Sequence, residues 1–144
     1  SLLFGTILMR VMFFVSLLLG TLLAKEYAIV VSQNTSLNTI SLKTVQKLYL
    51  KKKRSIGDKR YMVLNFPANS EERTAFMKNV MQLDLETWEN YYNEMHFKGI
   101  DPPKVMRSST SIKRFIVNVP NVLAYIPKSD VDDSVLVLKI FSAN

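Results

Sequence analysis

The feature that most constrains the fold is a repeated order of three parts: an apolar run typical of a β-strand, a cluster of hydroxyl and amide residues, and a helical pattern. The order occurs three times, with the polar clusters at residues 32–36, 69–70 and 108–111. A helix start carries unpaired N–H groups and a partial positive charge. Several such starts at the carboxyl ends of parallel strands would form one anion-binding edge.

Hydrophobic periodicity places the individual elements. We predict strands at residues 27–31, 61–66, 105–106, 122–126 and 135–141. We predict helices at residues 42–50, 71–81, 85–97 and 112–118. Strands that alternate with helices indicate a three-layer α/β fold, in which a mainly parallel central sheet of about five strands has helices on both faces.

The charge balance favours an anionic ligand, an acidic partner or a membrane surface. The 144 residues include 19 Lys and Arg against 12 Asp and Glu, a net charge of +7. The one dense basic run, Lys-Lys-Lys-Arg at residues 51–54, lacks the regularly spaced aromatic residues that stack on bases. We therefore predict no nucleic-acid partner and interpret this run as a solvated turn after a helix.

The amino-terminal segment, residues 1–24, has the layout of an export signal. Arg10 precedes a long apolar stretch that ends at Ala24. Leu22 at the −3 position makes the cleavage signal weak, and the stretch approaches the ~20 apolar residues that cross a bilayer, so a retained membrane anchor is the alternative. We prefer the signal peptide and predict that residues 25–144 form one folded domain in the periplasm. Membrane contact would then come only through an uncleaved leader.

Several segments, taken in order, resemble a known family. They are residues 40–51 (Ile-Ser-Leu-Lys-Thr-Val-Gln-Lys-Leu-Tyr-Leu-Lys), residues 58–66, residues 70–76 (Ser-Glu-Glu-Arg-Thr-Ala-Phe), the helix of Trp88 with the Pro102-Pro103 turn, and residues 108–125. Their order and spacing are similar to those of the periplasmic phosphate-binding proteins of ABC importers, and of the small single-lobe proteins related to them. The resemblance implies one periplasmic-binding-protein-like lobe and a role linked to phosphate transport.

The chain departs from this family in two ways. Family members have two lobes that close on the anion, whereas this chain has the length of one lobe. The glycine and threonine that follow the helix-capping serine in the family are Glu71 and Glu72 here. Two carboxylates at a helix start complement its dipole themselves and repel an incoming anion.

Polar residues at the three predicted helix starts are the candidate ligands of phosphate or a similar small oxyanion. They are Thr35, Ser36, Ser70, Arg73, Ser108, Ser109 and Thr110. Free N–H groups and the Ser70 hydroxyl would donate to the anion, and Arg73 would add a bidentate charged contact. The alternative is structural: Asn69 would cap the helix, Glu72 would complete a capping box, and the other hydroxyls would be ordinary cap and turn residues.

No pattern in the sequence predicts an enzyme. The chain has no cysteine, and the lone His96 has no partner at a spacing typical of catalysis. Asp130, Asp132 and Asp133 lack the alternating spacing of a calcium loop. We predict no catalytic residues, no metal site and no cofactor.

Two functional hypotheses follow. The first is an extracytoplasmic substrate-binding-like protein that holds a small oxyanion at helix starts. The second is a non-enzymatic interaction module of the cell envelope that kept the fold and lost the ligand, and that docks on an envelope protein or associates with itself. The missing second lobe and the two glutamates motivate the second hypothesis, since an anion in an open half-site stays exposed to water.

Overall fold

The structure, a computed structural model, describes residues 24–143. In chain order the elements are β1 (Glu26–Ser32), α1 (Leu42–Tyr49), β2 (Ser55–Ile56), β3 (Lys59–Arg60), β4 (Met62–Asn65), α2 (Glu71–Phe76), α3 (Leu85–His96), β5 (Lys104–Val105), α4 (Ser109–Asn118), β6 (Val122–Pro127) and β7 (Val135–Ser142). A π-helical turn, Met77–Met81, continues α2, and a 3₁₀ turn, Lys128–Asp130, follows β6. The predicted leader lies outside the described residues, apart from Ala24. Within those residues, no helix is both long and apolar enough to cross a bilayer.

Five strands form one sheet in the order β5-β4-β6-β1-β7. β4 runs parallel to β5 and β6, whereas β1 runs antiparallel to both of its neighbours, β6 and β7. Four strands therefore point one way and β1 points the other. The predicted α/β fold with a mainly parallel sheet is confirmed, and the reversed direction of β1 is the feature that the sequence pattern did not indicate.

Both faces of the sheet are covered. Every residue of β6 is buried, and so are five consecutive residues of β1. Successive side chains of a strand point to opposite faces of the sheet, so a strand whose consecutive residues are all buried needs cover on both faces. Helix α4 supplies part of that cover through Ile112 and Ile116, and the β5–α4–β6 unit is the crossover that parallel strands require.

An aromatic cluster fills the core on the side of α2. Phe76 stacks on Tyr125 with ring centroids 4.0 Å apart, and Tyr49 and Phe141 contact the same pair. The hydroxyl of Tyr49 donates to the carbonyl of Leu64 at 2.6 Å, so this buried phenol has a partner. The cluster therefore fixes α1, α2 and the sheet relative to each other. It lies near the carboxyl ends of the parallel strands, which the polar residues follow.

The predicted and observed bounds of the helices and strands differ where capping and turn residues set the end of an element. The last helix begins at Ser109, three residues before the predicted start, because the Ser108 side chain caps it. The predicted helix at 71–81 is present over the same residues, but its second half is a π-helical turn that ends at Gln82 in a left-handed conformation. The β2–β3 hairpin was not predicted, since two-residue strands are too short to show a period.

Candidate functional site

The two ends of the sheet, where the parallel strands finish and where they begin, carry different polar groups. The carboxyl ends of β4 and β5 lead to Ser70, Arg73, Ser108, Ser109 and Thr110, which we call the serine edge. The backbone N–H of Met106 donates to the carbonyl of Asn65 at 2.8 Å, so the two chain segments leave the sheet side by side. The opposite end of the sheet, which we call the basic edge, carries four cationic residues near the amino end of β4: Lys51, Lys53, Arg54 and Arg60.

Thr35 and Ser36 do not lie at the serine edge, and the prediction of one shared edge for all three clusters is wrong for them. Because β1 runs antiparallel to β6, its carboxyl end lies beside the amino ends of β6 and β4. The Thr35 hydroxyl lies 3.0 Å from the hydroxyl of Tyr61, the residue that precedes β4. Ser36 follows it on the exposed surface. Both side chains therefore belong to the end of the molecule where the basic edge lies.

Ser70, and not Asn69, is the N-cap of α2. The Ser70 hydroxyl accepts a hydrogen bond from the backbone N–H of Arg73 at 3.1 Å and donates to the carbonyl of Pro67 at 2.7 Å. The capping box predicted from Asn69 and Glu72 is therefore wrong, because the helix starts one residue later. Ser70 keeps a free oxygen lone pair and has no proton to donate to an anion in this arrangement.

Arg73 points into the protein and is 5% exposed. Its Nη1 donates to the carbonyl of Phe66 at 2.9 Å, and its guanidinium carbon lies 5.0 Å from the ring centroid of Trp88. The Nε atom is buried without a hydrogen-bond partner, and no described carboxylate forms an ion pair with this side chain. Burial lowers the pKa of Arg73, and the phenols of Tyr125 and Tyr49 and the carboxylate of Glu89 partly oppose this shift.

A cavity of about 530 Å³ adjoins Arg73. Its walls come from the turn after β4, from α2 with its π-helical turn and from the start of α3, and they include Ala68, Met77, Leu83 and Asp84. Asp84 is already engaged as the N-cap of α3, since it accepts from the backbone N–H of Thr87 at 2.7 Å. That hydrogen bond lowers the pKa of Asp84 below its usual value.

The three residues at the start of α4 are also largely engaged. Ser108 is the N-cap, and it exchanges hydrogen bonds with Ser111 in a capping box. The Ser109 hydroxyl donates to Oδ2 of Asp130 at 2.7 Å. Thr110 is exposed on the first turn. The first two of these hydroxyls therefore have structural roles in capping and in holding the loop after β6.

Opposite charges are matched around the serine edge. The ion pairs are Lys25 with Glu71 at 3.6 Å, Lys128 with Glu26 at 3.3 Å, and Lys113 with Asp132 at 2.8 Å. The pairing of Glu71 with Lys25 removes part of the repulsion that a free carboxylate would exert on an anion. Hydrogen bonds from Lys113 and Ser134 hold the pKa of Asp132 well below its usual value.

Asn65 is the residue of this edge that the sequence analysis did not single out. It is buried at the end of β4, where its Oδ1 accepts from the hydroxyl of Tyr125 and from the backbone N–H of Phe66. Tyr125 is fully buried, as is the rest of β6. The sequence did contain one indication of a role for Asn65, since a polar residue stands there at the end of an apolar strand.

The two side-chain groups considered for catalysis or metal binding lie on the surface. His96 is exposed, and its Nδ1 lies 3.5 Å from a carboxylate oxygen of Asp101. Asp132 accepts hydrogen bonds from Lys113 and Ser134, as an ordinary turn carboxylate does. Across residues 24–143, no three His, Cys, Asp or Glu side chains are grouped to hold a metal ion.

Comparison with known proteins shows where this fold occurs. No family model matches the chain, and no curated protein matches its sequence. Among solved structures it is similar to an ABC-type phosphate transport receptor from Vibrio cholerae (TM-score 0.65, 17% identity) and to a putative phosphate ABC transporter substrate-binding protein with bound phosphate from Clostridium perfringens (TM-score 0.63, 21% identity). It is also similar to PstS from Borrelia burgdorferi (TM-score 0.61, 11% identity).

These similarities cover 81% of this chain but only 46%, 45% and 47% of the three neighbours, in the same order. The chain therefore spans less than half the length of the proteins it matches. The predicted resemblance to phosphate-binding proteins of ABC transporters is confirmed at the level of the fold.

Proposed function

We propose that this protein is a non-enzymatic, extracytoplasmic relative of phosphate-binding proteins that holds phosphate or a similar small oxyanion at the serine edge. The proposal places the protein in the periplasm, exported by its leader, and links it to phosphate transport. The ligand-binding groups would be the guanidinium of Arg73 and the free backbone N–H groups that follow the N-caps Ser70 and Ser108, including those of Ser109 and Thr110. The neighbours in fold support the proposal, since their names describe receptors and substrate-binding proteins for phosphate.

The observation that carries the proposal is the unpaired guanidinium of Arg73. A buried cation without an ion-pair partner is unfavourable, because burial removes its hydration and the Glu89 carboxylate acts on it only from beyond ion-pair distance. The Nε atom without a partner adds an unsatisfied donor. An oxyanion that entered the adjoining cavity would supply a negative charge in direct contact and the acceptor that Nε lacks.

Two further features support this edge as the site. The backbone N–H groups at the starts of α2 and α4 lie at the same end of the sheet, next to the ends of β4 and β5. Lys25 engages Glu71 and places a second cation beside the start of α2. These groups together would draw an anion toward the region of Arg73.

Isothermal titration calorimetry of the full chain with phosphate and sulfate in low-salt buffer tests the proposal. Trp88 is the only tryptophan and contacts Arg73, so its fluorescence gives a second readout for an anion that reaches this guanidinium. We expect phosphate to release or absorb heat and to change Trp88 emission. The absence of both signals with either anion would contradict the proposal.

A variant pair locates the anion. Arg73→Gln should weaken phosphate binding by about tenfold or more, since one charge-assisted contact contributes roughly 1.5–3 kcal/mol. Arg114→Gln is the matched control, because it removes an arginine charge from the exposed surface of α4. Equal phosphate affinity in both variants, each shown to be folded by circular dichroism, would mean that Arg73 does not contact the anion.

The second candidate, an interaction module without a ligand, rests on a different observation. The hydroxyls of Ser70, Ser108 and Ser109 are already engaged in hydrogen bonds within the protein, and the chain covers less than half the length of its three structural neighbours. Its test is a mass measurement of the full chain in solution, combined with capture of partners from envelope extract. A monomer that captures no partner would contradict this alternative.

A further inference from the structure

The basic edge encloses a cavity that the phosphate proposal does not use. The cavity has a volume of about 370 Å³. Four cationic side chains line it: Lys51, Lys53, Arg54 and Arg60. No acidic residue belongs to its lining. A volume in this range is typical of sites for small molecules, and the sign of the charge selects an anion.

Acidic residues compensate the four cations only in part, and only from beyond ion-pair distance. None of them forms an ion pair with any residue of the described part of the chain. Burial lowers the pKa of Lys51, and the charges of Arg54 and Arg60 lower it further, while Asp101 acts in the opposite direction. The guanidinium groups therefore lie close enough to Lys51 for their charges to be felt there. Like charges held together without ion-pair partners repel each other, and an anion would relieve that repulsion.

Backbone contacts hold the cluster in place. Tyr91 and Tyr92 of α3 donate from their hydroxyls to the carbonyls of Leu50 and Tyr49, and these bonds fix the end of α1 just before the basic run. On the other side of the hairpin, the N–H of Tyr61 donates to the carbonyl of Arg54 at 2.9 Å. The hairpin also pairs Ser55 with Arg60, so residues five apart in sequence lie side by side.

Lys51 occupies a backbone position that glycine would favour. Its φ is +56°, in the left-handed region, where it ends α1. Glycine adopts this conformation more easily than lysine does, but lysine contributes a cation to the cavity. Substitution by glycine therefore removes the charge while it preserves the turn, which makes this position well suited to a test.

The cavity also has an apolar wall. Leu48 and Val63 contribute buried side chains, and Met62 is 46% exposed although it is a large apolar residue. Water-exposed apolar surface beside cationic groups suits a ligand that has both an apolar body and a charged group. Inorganic phosphate has no part that could cover this wall.

We propose that the basic edge binds a small organic anion: an aromatic or aliphatic body that carries a phosphate or another group of at least two negative charges. Arg54 and Arg60 would contact the charged group with their planar donor pairs, and Lys51 and Lys53 would add charge at the rim. The apolar body would cover Met62 and Val63. This site lies at the opposite end of the sheet from Arg73 and does not depend on phosphate binding there.

Calorimetry on the full chain with 1-naphthyl phosphate, inorganic phosphate and 1-naphthol tests both parts of the proposed ligand. We expect 1-naphthyl phosphate to bind about tenfold or more tightly than inorganic phosphate at this edge, since one buried ring adds roughly that much affinity. We expect 1-naphthol to give no measurable binding. Affinity for 1-naphthyl phosphate should fall as salt is added, because the charges at this edge are accessible to screening.

Two variants assign the binding to this cavity. Lys51→Gly and Arg60→Gln should each weaken the binding of 1-naphthyl phosphate about tenfold. Lys43→Gln removes a charge from the other end of α1, where the side chain is exposed, and should leave affinity unchanged. Arg114→Gln, which removes an arginine charge from the exposed surface of α4, should also leave it unchanged.

Three results would overturn the proposal. The first is no binding of 1-naphthyl phosphate in low salt. The second is unchanged affinity in both Lys51→Gly and Arg60→Gln, with folding of each verified by thermal unfolding. The third is a glutamate-rich peptide that binds more tightly than 1-naphthyl phosphate and competes with it, since the occupant would then be an acidic protein segment.

Discussion

The serine edge and the basic edge differ in whether their polar groups are already engaged. At the serine edge, Ser70 and Ser108 cap helices and Glu71 is paired with Lys25. At the basic edge, none of the four cations has an acidic partner among the described residues. The hydroxyl clusters that the sequence analysis named as candidate anion ligands thus have largely structural roles. The basic run that it interpreted as a solvated turn lines a cavity.

Arg73 is the exception that makes the comparison informative. It lies at the serine edge, yet it is a cation without an ion-pair partner among the described residues, like the residues of the basic edge. It differs from them in burial: Arg73 is 5% exposed, whereas Lys53, Arg54 and Arg60 are exposed to solvent. A missing partner therefore lowers stability far more at Arg73, because water cannot compensate there.

The largest effect is expected at Arg73. Arg73→Met replaces the buried cation with an apolar side chain of similar length, and it should raise the free energy of unfolding by about 1–4 kcal/mol in phosphate-free buffer. The same variant should lose phosphate binding. Urea denaturation followed by Trp88 fluorescence measures the first effect. A clear loss of stability would mean that the Phe66 and Trp88 contacts satisfy the guanidinium, and that no anion is needed.

Buried tyrosines between the two edges should make the fold sensitive to alkali. Burial raises the pKa of Tyr125 and of Tyr49 above the ordinary value of 10.0. The unfolded chain ionises these phenols at about pH 10 and the folded chain does not, so stability is constant below that pH and falls above it. Each tyrosine contributes up to about 1.4 kcal/mol per pH unit.

Urea midpoints measured from pH 8 to pH 11 check this expectation. Tyr125→Phe removes one of the phenols whose pKa is raised and should make the decline shallower. At pH 8 the same variant should lower stability by about 1–3 kcal/mol, because Oδ1 of Asn65 loses its bond from the Tyr125 hydroxyl. An equally steep decline in the variant would show that other groups cause the alkaline transition.

The engaged hydroxyls of the serine edge should show a smaller effect. Ser70→Ala removes the N-cap of α2 and should lower the free energy of unfolding by about 1 kcal/mol. Thr35→Val, at the other end of the sheet, should leave phosphate affinity unchanged, since Thr35 contacts Tyr61 and not the serine edge. A phosphate affinity that depends on Thr35 would place the anion at the wrong edge for the proposed function.

The smallest stability effect is expected at the basic edge. Arg60→Gln should change the free energy of unfolding by less than about 0.5 kcal/mol, because exposed charges without partners contribute little to folding. The removal of one of four mutually repelling cations favours a slight gain. Thermal unfolding at low and high salt measures this. A loss above 1 kcal/mol would show that Arg60 has a structural partner and is not a free binding group.

The sequence was a good guide wherever the local pattern acts alone. Helix and strand periods, the N-caps at Ser41 and Asp84, and the buried Tyr125 follow from side chains that are near in sequence. The Asn69 cap was wrong by one residue, since Asn and Ser are almost equally good caps and the carbonyl of Pro67 decides between them. Which groups bind a ligand stays a prediction at both edges.

By itself, the sequence determined the α/β order of elements, the resemblance to phosphate-binding proteins and the positive net charge, because these depend on periodicity and composition. Only the tertiary structure decided that β1 runs against its neighbours, which moves Thr35 and Ser36 away from Ser70. It also decided that Arg60 meets the 51–54 run and that Arg73 is buried. Strand direction and the pairing of distant charges depend on contacts between residues far apart in the chain, and a local pattern carries no information about them.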